Sequence, residues 1–150
     1  MGMTEAFPVH CWPLNARGHH RFTLGRIVDC SAEVIRAYAS EQLATHPGVG
    51  LWECELDTDE IIWSDEIYDI FGVPRGATVT RAEALTYYSP HSRAVLEGLR
   101  SEAIEHKKSF VLDAEIRPGH GLRRCWMRIV AAPVCEDGEV VRLQGFKQII

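Results

Sequence analysis

Seven histidines, five cysteines and two close pairs of carboxylates are the residues of this 150-residue sequence whose types lend themselves to chemistry. His10, Cys11, His19 and His20 crowd the first twenty positions, but their spacing matches no tetrahedral zinc pattern, and no metal site is expected. Asp57 with Asp59 falls in a turn signal, and Asp65 with Glu66 falls in the first turn of a short helix, where carboxylates complement the helix dipole. Neither pair reads as the acid and base of glycoside cleavage. No HExxH, GxSxG or nucleotide-binding loop occurs, so an enzyme is not expected. Cys11, Cys30, Cys54, Cys125 and Cys135 are odd in number and never spaced as CxxC. That pattern fits reduced thiols, most of them acting as small buried apolar residues.

Composition narrows the partners. Hydrophobic residues at 46%, charged residues at 25% and aromatic residues at 9% describe an ordinary globular chain, and the length suits one domain with a real core. A formal charge of −5 offers no electrostatic footprint for a nucleic-acid backbone. Every apolar run is cut by Glu, Arg or Asp well before the roughly 18 residues a membrane helix needs. With no basic segment leading into an apolar secretory core, a cytoplasmic location is expected.

Residues 1–28 have no sustained period and are expected to form a flexible arm. From position 29 to 45 the pattern turns helical, with Asp29 or Ser31 as cap and Val34, Ile35, Tyr38 and Leu43 along one face, ended by His46-Pro47-Gly48. Residues 46–150 then form the domain. Trp52, Cys54 and Leu56 alternate with Glu53, Glu55 and Asp57, which is a half-buried strand, and a turn leads to a second at 60–63. Ser64 caps a short helix that Gly72 and Pro74 stop. Thr80-Arg81-Ala82-Glu83 is a capping box, and Ser89-Pro90 opens the longest helix, through Val95, Leu96, Leu99 and Ile104 to about Lys107. Three strands follow at 109–117, 122–134 and 140–149. Two strands, a block of helices and three strands predict an α+β fold: a five-stranded antiparallel sheet with helices on one face, preceded by the amphipathic helix.

Several stretches together resemble the bacterial sensory variety of the PAS domain family. They are Gly50-Leu51-Trp52-Glu53, then Ile62-Trp63-Ser64-Asp65-Glu66-Ile67-Tyr68-Asp69-Ile70-Phe71-Gly72. Tyr88-Ser89-Pro90-His91-Ser92-Arg93 is similar to the family's acidic lead into its long helix, although the acidic residues are replaced here. Arg124-Cys125-Trp126-Met127-Arg128, Ala132-Pro133-Val134, Asp137-Gly138 and Leu143-Gln144-Gly145 are similar to its last two strands. The likeness runs from about His46 to the C-terminus. It implies a sensory and signal-transduction module, of the kind found in two-component systems, that regulates a separate or missing effector such as a histidine kinase or diguanylate cyclase.

Flavin photoreceptors of the family carry a reactive cysteine in an Asn-Cys-Arg-Phe-Leu-Gln stretch, which has no counterpart between Thr80 and Phe110. Haem members use a histidine near the long helix. His91, in a polar first turn, and His106, beside Lys107 and Lys108, are both expected to face water. Neither haem nor flavin is favoured, and the resemblance names no cofactor. A small organic ligand between sheet and helices is expected to meet Trp63, Tyr68, Phe71, Tyr87, Leu99, Leu112, Cys125, Met127 and Leu143, with Tyr87 and Tyr88 offering hydroxyls. The alternative is a ligand-free protein-protein interaction domain whose pocket has collapsed. The stripe of Val34, Ile35, Tyr38 and Leu43 needs another surface: it can fold back onto the outer sheet face of its own chain or cross to a second copy, and the resemblance favours the second, a homodimer.

Overall fold

In the computed structural model, residues 25–150 are described. Four residues, Gly25–Val28, form strand β1, and Ser31 caps helix α1, Ala32–Thr45, by accepting from the Val34 amide at 3.2 Å. Strands β2 (Gly50–Glu55) and β3 (Ile61–Trp63) make the expected hairpin, with Trp52 opposite Trp63. Helix α2 spans Asp65–Phe71 and ends on Gly72, whose φ of 67° is the left-handed stop. The capping box is present at the head of α3, Arg81–Leu85, and Ser89 with Pro90 begins α4, Pro90–His106. Strands β4 (Ser109–Ile116), β5 (Cys125–Glu136) and β6 (Glu139–Ile149) complete the chain.

All pairings are antiparallel, in the order β1-β4-β5-β6-β2-β3. The sheet thus has six strands where five were expected, and the flexible arm expected over 1–28 gives way at 25 to a strand. The remainder of that arm, with Cys11 and the histidine cluster, lies outside the described residues. β1 carries no alternation of its own because it is only four residues long. It takes its register from the free edge of β4, Gly25 facing Leu112 and Val28 facing Ser109. A Cβ on Gly25 would sit 2.5 Å from Leu99 Cδ1, so any larger residue there has to displace that side chain.

The period-two alternation of the strands divides two cores. On the inner face Phe110, Leu112, Ala114, Met127, Ile129, Ala131 and Leu143 pack under α2, α3 and α4. On the outer face Val111, Val130, Ala132 and Phe146 pack against Ile35, Tyr38 and Ala39 of α1. The apolar stripe of α1 is therefore covered by the chain's own sheet. Ile35 is 1% exposed and Tyr38 8%, Val34 is half-buried, and of the four residues expected to hold a second copy Leu43 alone is exposed.

Two polar details tie the helices to the sheet. Ser64 stands at the cap position of α2, but its hydroxyl accepts from the Leu51 amide at 2.9 Å instead of capping the helix, while Leu51 O accepts from the Ser64 amide. Ser92, within the stretch where the acidic residues are replaced, uses its buried Oγ to accept from the Glu115 amide at 2.9 Å, which fixes the head of α4 to the end of β4.

Among the described residues, no helix is long and apolar enough to cross a membrane. The described cysteines are free thiols, and of these Cys54 is buried, Cys30 and Cys125 are half-buried and Cys135 is exposed, so burial is less general than expected.

Candidate functional site

Between the inner sheet face and helices α3 and α4 lies a cavity of about 70 Å³. Trp52 and Cys54 of β2, Trp63 of β3, Phe110 of β4, Ile129 of β5 and Leu143 of β6 supply its floor, and Ala84, Leu85 and Leu96 its roof. The floor follows from strand phase, since residues of one parity face the helices. That phase also delivers a lysine. Lys147 lies two pleats beyond Leu143 on β6, opposite Gly50 and Ile129, and so points into the core.

Lys147 is 8% exposed. Its Nζ stands 5.1 Å from the ring centre of Phe71, 5.2 Å from Trp52, 5.8 Å from Trp63 and 5.9 Å from Tyr88. These are cation–π distances, and together the four rings form a box around the ammonium. Burial in that box pulls its pKa from 10.5 down to about 7, with Cys54 acting in the opposite direction. Among the described residues no carboxylate lines the cavity.

Two further cations, Arg81 and Arg100, reach the cavity, and each is already matched. Arg81 pairs with Glu97, joining α3 to α4, and Arg100 Nη2 lies 3.4 Å from Asp59 Oδ1, joining α4 to the β2–β3 turn. Burial raises the pKa of the Tyr88 hydroxyl, keeping it a neutral phenol. Burial likewise raises the Cys54 thiol against the lowering influence of Arg100. Trp52 has a buried indole N–H with no acceptor among the described residues.

Of the nine residues expected to meet a ligand, Trp63 and Leu143 line this cavity. The others are placed elsewhere, for separate reasons. Leu112 and Met127 are fully buried in the sheet's inner core. Phe71 stacks on Trp63 at 5.0 Å with an interplanar angle of 17°, and Tyr87 packs tilted on Phe71 at 5.6 Å. Tyr68 donates its hydroxyl to the Ala77 carbonyl at 2.8 Å. Leu99 packs beside β1, and Cys125 is at the start of β5. Of the two tyrosines, Tyr88 is the one that lines the cavity.

Sequence reasoning missed Lys147, Trp52, Arg81 and Arg100. The signal for Lys147 was available, since it shares parity with Leu143 and Gly145. His91 and His106 are both exposed on α4. Among the described residues no group of three or more His, Cys, Asp or Glu is placed to hold a metal ion.

No family model matches the sequence, and no curated protein matches it. Solved structures do. The N-terminal domain of a diguanylate cyclase with PAS/PAC sensor from Marinobacter aquaeolei matches at a TM-score of 0.60 and 20% identity, over 67% of this chain and 94% of that one. A sensory box histidine kinase/response regulator from Burkholderia thailandensis matches at 0.58 and 19%, over 73% and 83%. The PAS domain of a protein from Colwellia psychrerythraea matches at 0.58 and 14%, over 77% and 97%. With its antiparallel sheet, its helices gathered over the inner face and these structural neighbours, the chain has the PAS fold.

Proposed function

We propose that this chain is a sensory module in which a small molecule held between the sheet and α3/α4 changes what the domain presents to an effector. The observation that carries this reading is the cavity itself, an apolar space lined by a buried lysine and, among the described residues, by no carboxylate. An ordinary core position does not hold such a group, because burying a charge without a partner is unfavourable by several kcal/mol. The neighbours from a diguanylate cyclase and a histidine kinase support an effector of one of those kinds. In this reading the domain itself carries no catalytic step, and a second copy would meet α1 through Leu43 and the edge of Val34, since Ile35 and Tyr38 face the sheet.

The small volume of the cavity favours the alternative, a ligand-free interaction domain, and one experiment separates the two. Native mass spectrometry of the isolated protein, together with thermal denaturation against a metabolite panel, is expected to show a retained or stabilising small molecule. A bare chain mass with no shift in Tm from any compound would overturn the sensory reading.

A further inference from the structure

Lys147 and Trp52 are two donors in one cavity that want an acceptor. The ammonium has three N–H groups, and the rings of Trp52, Trp63, Phe71 and Tyr88 stand around it with the Cys54 thiol nearby. The Trp52 indole N–H is buried and unsatisfied. Buried donors in native proteins are nearly always paired, so the unsatisfied Trp52 N–H, in the wall of the cavity that Lys147 also lines, marks the place of an acceptor carried by something else. Arg81 and Arg100 do not compete for it, because Glu97 and Asp59 already hold them.

Resting on the sensory reading above, we propose that the cavity binds a short-chain monocarboxylate, its carboxylate on the Lys147 ammonium and the Trp52 indole, its alkyl chain against the apolar wall.

The charge count selects a monoanion. One uncompensated positive charge is neutralised by one carboxylate, whereas a phosphate dianion or a dicarboxylate would leave surplus negative charge buried without a partner. Size selects a short chain. A cavity of about 70 Å³ is roughly half of the 150 Å³ or so that holds benzene in a protein core, which suits two to four carbons. The walls select carbon over water, since Leu96, Phe110, Ile129 and Leu143 offer no hydrogen bond to a hydrated inorganic ion. Binding is also tied to protonation. The groups that face the ammonium are Cys54 and Tyr88, with burial raising the pKa of both, so around neutral pH the lysine is the group that changes charge.

Calorimetric titration of the full chain with sodium propionate and, separately, with propionamide tests this. The amide has nearly the same shape and no charge. Propionate is expected to bind at least tenfold more tightly than propionamide at pH 6.5, and to weaken by up to tenfold per pH unit above pH 7 as the free ammonium deprotonates. The Lys147→Met variant is expected to lose propionate binding while keeping its fold by circular dichroism. Propionamide binding as well as propionate, or undiminished propionate binding by a folded Lys147→Met, would overturn the carboxylate assignment and leave the ligand-sensing reading standing. Failure of both compounds, with no shift from the metabolite panel, would overturn both.

Discussion

Asp113 and Arg128 face each other across β4 and β5 and close two hydrogen bonds, Nε to Oδ1 at 2.7 Å and Nη2 to Oδ2 at 2.9 Å, with both side chains 5% exposed. They lie on the outer face of the sheet, on the same parity as Val111 and Val130. The fork geometry matches a planar guanidinium to a carboxylate and keeps both charges satisfied within the protein. Removing one partner strands the other. Asp113→Ala is expected to lower stability by about 3–5 kcal/mol, whereas replacing both residues by apolar side chains of similar volume is expected to cost far less. Urea unfolding of the single and double variants checks this, and equal losses would show that the pair is not what matters at this position.

What the sequence disclosed depended on how local the determining chemistry is. The capping box at Thr80 and Glu83, the Ser89-Pro90 start and the Gly72 stop are decided within a few residues, and all three stand where their chemistry requires. Strand β1 is decided by the vacant edge of β4, more than 80 residues along the chain, and four residues give no period from which to infer it. Within the site, parity brought Trp63 and Leu143 to the cavity, but helical periodicity does not fix the rotation of a helix about its own axis, so Leu96 lines the cavity while Leu99 meets β1. Lys147 was obscured by its charge, because a lysine in a strand is ordinarily assigned to the solvent face even when its parity puts it inside.

Trp63 is 8% exposed, stacked on Phe71 and edge-on to Tyr68 at 5.2 Å. Truncation to alanine removes these contacts and opens the cavity floor. The expected loss is roughly 3–5 kcal/mol by denaturant unfolding. A loss under about 1 kcal/mol would show that the surrounding rings close the gap.

Two glycines are expected to respond in opposite directions to alanine. On Gly145 a Cβ would lie 1.7 Å from the Val130 carbonyl oxygen, so Gly145→Ala forces β5 and β6 apart and is expected to abolish cooperative folding. Gly98 lies within α4 with nothing within 4 Å of its added Cβ. Gly98→Ala is therefore expected to raise stability by about 0.5–1 kcal/mol through helix propensity. Thermal denaturation of the two variants side by side distinguishes the cases.

The Lys147 ammonium makes stability depend on pH in a predictable direction. Its pKa falls from 10.5 in the exposed group to about 7 in the folded chain, so between those values the unfolded state binds more protons. The penalty is fully present below pH 7, shrinks as pH rises through the window and is gone above it. Measured as the difference between wild type and Lys147→Met, stability of the wild type should climb by up to about 1.4 kcal/mol per pH unit from pH 7 upward. The comparison cancels most of the contribution of Cys54 and Tyr88, whose raised pKa values act in both proteins. A flat difference across pH 6 to 10 would mean that the ammonium is not held away from water.

The stripe on α1 separates two roles for that helix. Ile35 and Tyr38 pack on Val130, Ala132 and Phe146, with the Tyr38 and Phe146 ring centres 5.7 Å apart, and burial pushes the Tyr38 hydroxyl up to about 12. If the stripe only joined two copies, Ile35→Glu with Tyr38→Glu would yield a stable monomer. Packed on its own sheet, the same double substitution places carboxylates against the outer core, where the cation that acts on Tyr38, Arg128, is already engaged by Asp113. It is expected to detach α1, bare the outer face to a hydrophobic dye and lower the unfolding midpoint sharply, while Leu43→Glu, at an exposed position, leaves the midpoint unchanged. Sedimentation and urea unfolding on the same samples decide between the roles. A double variant that keeps the wild-type midpoint and loses a dimer would place Ile35 and Tyr38 between chains instead of within one.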